Sequence, residues 1–339
     1  MKRKLIIHVG MGKTGSTSIQ MALGSNENLL AENGVKYLGL MLENTPLPKS
    51  YTWNHSGGWH TFLRLDLKEA CQELVEAFTH INENLPQNLS TLIWSNESLF
   101  FDFDHVDALK SIESIYDIHV VGYIRRPDDW IASAYLQWGI KHKTYTGPLQ
   151  SFRQWVKTLP YSVAPRIDIW KESVDSSKFF NFNAIEDITR HFLERSAPAL
   201  AQELRASSSN HTPPPQAMAL FCAYNSTLER QVLPSELEPL LSRSGLMNKL
   251  PPARNYNSLL PTTKDLQAYI EENAEEIREV NKRLDMQGEP GFRLAAEEIK
   301  DRSVSQQDIN RALLRTIVHL ADEVESLKAK MGKEYRSSD

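Results

Sequence analysis

The run His8-Val9-Gly10-Met11-Gly12-Lys13-Thr14-Gly15-Ser16-Thr17-Ser18 follows directly on the apolar Leu5-Ile6-Ile7. A strand, a glycine-bearing loop with one lysine, and hydroxyl residues opening a helix are the parts from which a chain builds a phosphate cradle. The glycines let the backbone approach the anion, N–H groups at the helix start point at it, and Lys13 supplies charge. An ATP or GTP loop of the Walker A kind does not match. That motif needs a glycine five positions before Gly12, and the residue there is Ile7.

A second segment can meet another anion. His119-Val120-Val121-Gly122-Tyr123-Ile124 reads as a strand, and Arg125-Arg126-Pro127-Asp128-Asp129-Trp130 follows it. Pro127 suits a first helical turn, and the two aspartates suit a helix N-terminus. Ser133 then lies about two turns into the helix, on the face that looks back toward Arg125. Arg125 can fork onto a phosphate while Ser133 adds a hydroxyl donor. The plainer alternatives are that Arg125 pairs with Asp128 or Asp129 and that Ser133 is an ordinary helix serine. Arg126 is read as solvated.

Taken together, the two segments resemble the nucleotide-binding motifs of sulfotransferases that use 3′-phosphoadenosine 5′-phosphosulfate (PAPS). Gly12-Lys13-Thr14-Gly15-Ser16-Thr17 is similar to the family's 5′-phosphosulfate loop, commonly Pro-Lys-Thr-Gly-Thr-Thr. It departs by Gly12 for proline and by Ser16 for threonine. Arg125 and Ser133 resemble the 3′-phosphate site. The resemblance spans residues 4–260, with firm matches in the two motifs. It implies PAPS as donor and 3′-phosphoadenosine 5′-phosphate (PAP) as product, with no metal. It also implies Lys13 at the bridging oxygen, contacts from Gly12 through Ser18 to the 5′-phosphate, and Arg125 with Ser133 on the 3′-phosphate. The implied reaction moves a sulfuryl group to a hydroxyl or amine, here read as that of a carbohydrate, with a small alcohol or lipid left open. Two rivals stand beside it: a nucleotide-dependent P-loop kinase, and a non-catalytic PAPS-binding scaffold.

The acceptor proton needs a base. In the family it is a histidine or a glutamate. Leu92-Ile93-Trp94-Ser95-Asn96-Glu97 ends a buried-looking strand, so Glu97 is the candidate, its alternative being a structural carboxylate. The loop Tyr51-Thr52-Trp53-Asn54-His55-Ser56-Gly57-Gly58-Trp59-His60 competes. Trp53, His55, Trp59 and His60 could line an acceptor lid, since tryptophan faces stack on sugars, or could pin the loop to the core. As a metal pair, His55 and His60 lack further ligands, and no Cys/His cluster has zinc spacing. Lys249 and Arg254 either reach the 3′-phosphate or lie on a solvated loop.

These residues need elements to hold them. Strand-like runs at 4–9, 35–40, 91–95, 118–124 and 178–182 alternate with helix-like patterns at 16–23, 66–82, 104–115, 127–139 and 185–195. That alternation implies an α/β fold, a P-loop NTPase-like parallel sheet flanked by helices, with its ligand beyond the strands' carboxyl ends. After residue 200 the pattern turns helical, with a loop at 207–215 and helices at 216–230, 235–243 and 263–284. The expected organisation is a sulfotransferase-like domain over 1–300 and an amphipathic helix over 303–331. From Leu313 its apolar residues step by 4, 3, 4, 3, 4 to Met331, a heptad seam that packs on its own domain or joins subunits as a coiled coil.

With 339 residues the chain can bury a full core, and a net charge of −5 argues against bulk nucleic-acid binding, so an anion site must be a local cationic pocket. Cys71 and Cys222 read as core thiols. Met1-Lys2-Arg3-Lys4 looks like the start of a signal segment, but the apolar stretch behind it breaks into the glycine loop and reads as a first strand. No run approaches a membrane span, and the expectation is a cytoplasmic protein.

Overall fold

The computed structural model describes residues 2–48, 50–101, 103–174, 176–204, 215–226, 228–232, 259–300, 302 and 304–336. The expected loop at 207–215 (except Pro215, which opens a helix), the helix at 235–243, Lys249 and Arg254 lie outside the described residues.

Five strands form one parallel sheet: β1 (Arg3–Gly10), β2 (Val35–Tyr37), β3 (Thr91–Ser95), β4 (Tyr116–Ile124) and β5 (Ser177–Asn181). Their order is β2-β3-β1-β4-β5. Each coincides with one of the apolar runs, because a strand covered on both faces reads as continuous rather than alternating hydrophobicity. In β1, Leu5, Ile6, Ile7 and Val9 are all buried. From β1 the chain crosses to β2 at the far edge, comes back to insert β3 between the two, and then adds β4 and β5 on the other side of β1. The order therefore reverses between β1 and β4, the switch point at which open α/β sheets leave a crevice for ligands.

The helices are α1 (Ser16–Gly24), α2 (Leu67–Asn84), α3 (Pro127–Ala134), α4 (Ala164–Ser173), α5 (Ile188–Ser196), α6 (Pro215–Asn225), α7 (Thr263–Glu272), α8 (Ala274–Asp285) and α9 (Gln306–Arg336). On one sheet face Ile6, Tyr123 and Phe180 pack with Ile19 and Leu23 of α1 and Phe192 and Leu193 of α5. On the other, α2 buries Ala70, Leu74, Ala77, Phe78 and Ile81, the three-and-four spacing of one helical face. Asp66 and Glu69 close its N-terminus as a capping box. Phe78 meets Trp94, and the Tyr116 hydroxyl donates to the Phe78 carbonyl at 2.9 Å.

Four elements differ from the sequence pattern. The helix expected at 216–230 is α6, which stops at Asn225. The helix expected at 104–115 is a 3₁₀ segment, Val106–Ile112. The one expected at 127–139 is α-helical only to Ala134 and continues as a wider π turn, Tyr135–Lys141. The Asn225 amide donates to the carbonyls of Ile140 and Lys141, a side-chain insertion of the kind that widens a helix. The run at 263–284 is two helices, α7 and α8, parted at Asn273.

The outer edge of β5 is closed by side chains. Phe179 N–H donates to Gln287 Oε1 at 3.0 Å, and Asn181 Nδ2 donates to the Pro290 carbonyl at 2.9 Å. The chain divides into two compact units. The first, Met1–Trp130, Tyr161–Asn210 and Ile270–Leu294, holds the sheet. The second comprises Ile131–Pro160, His211–Tyr269 and Ala295–Asp339, and within it α6 packs against both the π turn and α9. Among the described residues no helix is long and apolar enough to cross a membrane.

Candidate functional site

The glycine loop leaves the end of β1, where Gly10 pairs with Tyr123 of β4. Gly12, Lys13 and Gly15 have φ of 64°, 59° and 80°, all left-handed. For the two glycines this costs little. For Lys13 it is an uncommon conformation that the surroundings must enforce. They do so through three hydrogen bonds from β4 and the helix after it. Tyr123 O accepts from Met11 N–H at 3.3 Å, Trp130 Nε1 donates to Met11 O at 2.9 Å, and Arg125 Nη1 donates to Lys13 O at 2.7 Å. Glycine-rich turns of this kind are the backbone from which anion-binding concavities are built.

Gly15 begins α1 with no side-chain cap, and no acidic residue lies in the first turn. The helix therefore starts with N–H donors and the positive end of its dipole at the loop. The hydroxyls of Thr14 and Ser16 are buried and have no hydrogen-bond partner among the described residues. Both crowd Gly10, where a Cβ would sit 2.5 Å from Thr14 Oγ1 and 3.3 Å from Ser16 Oγ. A buried hydroxyl left unpaired costs about 1–3 kcal/mol, which a bound acceptor would recover. Backbone N–H groups, two hydroxyls and a lysine make a donor set suited to a phosphate or sulfate oxygen. Thr17 is exposed and Ser18 half-buried within the same first turn.

Arg125 and Arg126, adjacent in sequence, do different things. Arg125 reaches the glycine loop, with its guanidinium 5.4 Å from the Phe182 ring centre and its carbonyl accepting from Tyr161 at 3.2 Å. Arg126, expected in solvent, is buried. Its Nε and Nη2 grip the two oxygens of Asp128, each at 3.1 Å. Asp129 accepts from Asn183 Nδ2 at 2.9 Å, and Asn183 Oδ1 accepts from Arg126 N–H at 2.8 Å. The aspartates thus anchor the start of α3. Ser133 is buried on α3 and belongs to the second unit.

Beyond β3, Glu97 is partly exposed. Gln20 of α1 donates to Glu97 Oε2 at 2.9 Å and to the Ser95 carbonyl at 3.2 Å, joining the helix that carries the glycine loop to the candidate base. Asn96 donates to Leu40 O and accepts from Ser98, which fixes the turn in which Glu97 sits. The Tyr37 phenol is raised above its ordinary pKa by burial first, then by the Glu43 and Glu97 carboxylates, so it stays protonated. His8 went unnoticed in the sequence because it sits inside an apolar strand. Its Nδ1 lies 2.7 Å from Ser95 Oγ, and burial pushes its pKa down to about 3, so the ring is neutral.

The aromatic loop is built into the core. Trp53 and Trp59 are each 5% exposed; both pack on Phe62, and Trp59 also meets Trp94. Their indole N–H groups are engaged by Glu73 and Ser98 at 2.8 Å each. Rings packed this way fit the other reading of the loop, in which its aromatics pin it to the core. His55 and His60 are exposed, and His55 Nδ1 accepts from Gly57 N–H at 3.1 Å within its own turn. Among the described residues no three His, Cys, Asp or Glu side chains converge as a metal site.

No family model matches the chain, and no curated protein sequence matches it. Among solved structures it is similar to a sulfotransferase from Alicyclobacillus acidocaldarius, with 12% identity, a TM-score of 0.37, and coverage of 66% of this chain and 93% of that one. It is also similar to the sulfotransferase domain from the curacin biosynthetic pathway, with 11% identity, a TM-score of 0.31, and coverage of 81% and 98%.

Proposed function

We propose that the chain is a PAPS-dependent sulfotransferase. One observation carries the reading: the left-handed loop at the end of β1, with its unpaired Thr14 and Ser16 hydroxyls, is clamped by Arg125 from the end of β4. An oxyanion cradle with a second cationic group at the sheet's switch point, without a Walker A glycine pattern, supports this reading.

PAPS as substrate supplies a sulfuryl group on a phosphate oxygen. The acceptor oxygen bonds to sulfur, the bond from sulfur to the bridging oxygen breaks, and the electron pair stays on PAP. Lys13 supports the charge gathering on the bridging oxygen. The first turn of α1 with Thr14, Ser16, Thr17 and Ser18 holds the 5′-phosphate. Arg125, with Ser133 as the resemblance implies, takes the 3′-phosphate. Glu97, oriented by Gln20, accepts the proton from the acceptor. The acceptor is a hydroxyl or amine. A carbohydrate hydroxyl stays first among candidates, though burial of Trp53 and Trp59 removes ring stacking as a reason for it.

Calorimetry with PAP, ATP and AMP tests the donor, and a labelled-sulfate transfer screen over glycans and alcohols tests the reaction. Tighter binding of PAP than of ATP without magnesium is the expected result. Magnesium-dependent ATP binding of equal or greater strength would overturn the reading in favour of a kinase. PAP binding with no transfer to any acceptor would favour a scaffold.

A further inference from the structure

Seven large apolar side chains are well exposed among the described residues, and three of them lie on α9: Ile317 at 45%, Val324 at 48% and Leu327 at 58%. The start of this helix is seated, since Val304 and Ile309 are buried and α6 packs against it. Further along, Leu313 and Leu320 are half-buried. The helix runs 31 residues, about 46 Å at 1.5 Å per residue, while α6 has 11 residues. α6 is therefore too short to cover the whole of α9, and apolar residues continue past where it can reach.

The identity of those residues says what covers them. Counted in sevens, Ile317, Val324 and Met331 occupy position a, and Leu313, Leu320 and Leu327 occupy position d. β-branched residues at a with leucine at d favour two parallel strands over three or four. The flanking charges agree. Glu323 falls at g and Lys328 at the next e, the two positions that face each other across a parallel pair. The Glu323 side chain is exposed. A second copy of the same helix thus offers lysine where this one offers glutamate, twice by symmetry.

We infer that α9 pairs with α9 of a second copy of this chain as a parallel two-stranded coiled coil over residues 313–331. The inference is independent of the catalytic reading. With under three heptads the pair is weak by itself, so association depends on protein concentration.

The test is the mass of the full chain in solution by light scattering and sedimentation over about 1–200 µM, a range that brackets micromolar dissociation. The mass should rise from monomer toward dimer, and the double variant Ile317→Asp/Val324→Asp should stay monomeric. Both positions are exposed, so its thermal unfolding at low concentration should match the parent and exclude misfolding as the cause. Orientation is read by Val324→Cys, which in a parallel pair faces its own counterpart and should cross-link on mild oxidation. Ser326→Cys, at the outer position c, should not. A monomer at every concentration overturns the inference, as does a dimer that survives the double aspartate variant. A dimer that the aspartates abolish but Val324→Cys does not cross-link overturns the parallel arrangement.

Discussion

Arg125 Nη1 donates to the carbonyl of Lys13 at 2.7 Å, tying the end of β4 to the loop after β1. One guanidinium thus tethers Lys13 in its left-handed conformation, and in the proposed function it also meets the 3′-phosphate. Arg125→Ala should therefore have two separable effects. Binding of PAP should weaken by about 2–3 kcal/mol, the loss of a charge-assisted contact together with the loop tether. Adenosine 5′-phosphosulfate, which lacks the 3′-phosphate, should lose only about 1 kcal/mol, the share of the tether alone. Calorimetry with both nucleotides measures the difference, and equal losses would remove Arg125 from the 3′-phosphate.

Lys13 should separate binding from chemistry. If its ammonium supports the leaving oxygen, Lys13→Ala cuts turnover by about 10²–10³. PAP affinity should fall much less, because the backbone cradle remains. Steady-state rates set beside equilibrium PAP titrations decide this, and near-normal turnover would make the lysine peripheral.

Glu97→Gln keeps the shape and the bond to Gln20 but removes the basicity. Sulfuryl transfer should drop by at least about 10², with PAP binding intact. Gln20→Leu leaves the carboxylate in place without its guide. It should lower turnover by a smaller factor, about tenfold, with PAP binding intact. His55→Ala and His60→Ala serve as controls. Should either be inactive while Glu97→Gln works, the base belongs to the aromatic loop.

His8 sets an acid limit on stability. Its folded pKa is depressed to about 3 from an ordinary 6.5. Above 6.5 the ring is neutral in both states and contributes nothing to pH dependence. As pH falls below 6.5 the unfolded chain takes up a proton that the folded chain refuses, so stability declines. At pH 5 the loss attributable to His8 is roughly 2 kcal/mol relative to pH 7. Urea midpoints at the two values should differ in the parent and differ less in His8→Asn. An unchanged difference would assign the acid sensitivity to other groups.

The five strands could be read from the sequence because burial on both faces leaves an unbroken apolar run, as in Leu92-Ile93-Trp94. The glycine loop was equally visible, since Gly12 and Gly15 mark left-handed positions. Partnerships were not. Nothing in the order Arg125-Arg126-Pro127-Asp128 says that the second arginine takes the aspartate while the first crosses to Lys13. That choice follows from where β4 lies beside β1. No sequence signal marks Gln20, because its role depends on β3 ending next to α1. The tryptophans left two readings open for a related reason. An aromatic ring has the same chemistry whether it awaits a ligand or packs on Phe62, and only the packing tells which.

The closure of β5 limits how this protein can associate. A strand margin with open N–H and carbonyl groups is a template that another chain can extend. Here Gln287 occupies the Phe179 amide, and the Asn181 side chain is fastened to the backbone at Pro290. A foreign strand arriving at this margin would first have to strip away both fastenings. Main-chain pairing here must compete with Gln287 for the Phe179 amide, so contacts on this side of the sheet turn more on side-chain shape and charge than on the sequence-blind pairing of peptide groups.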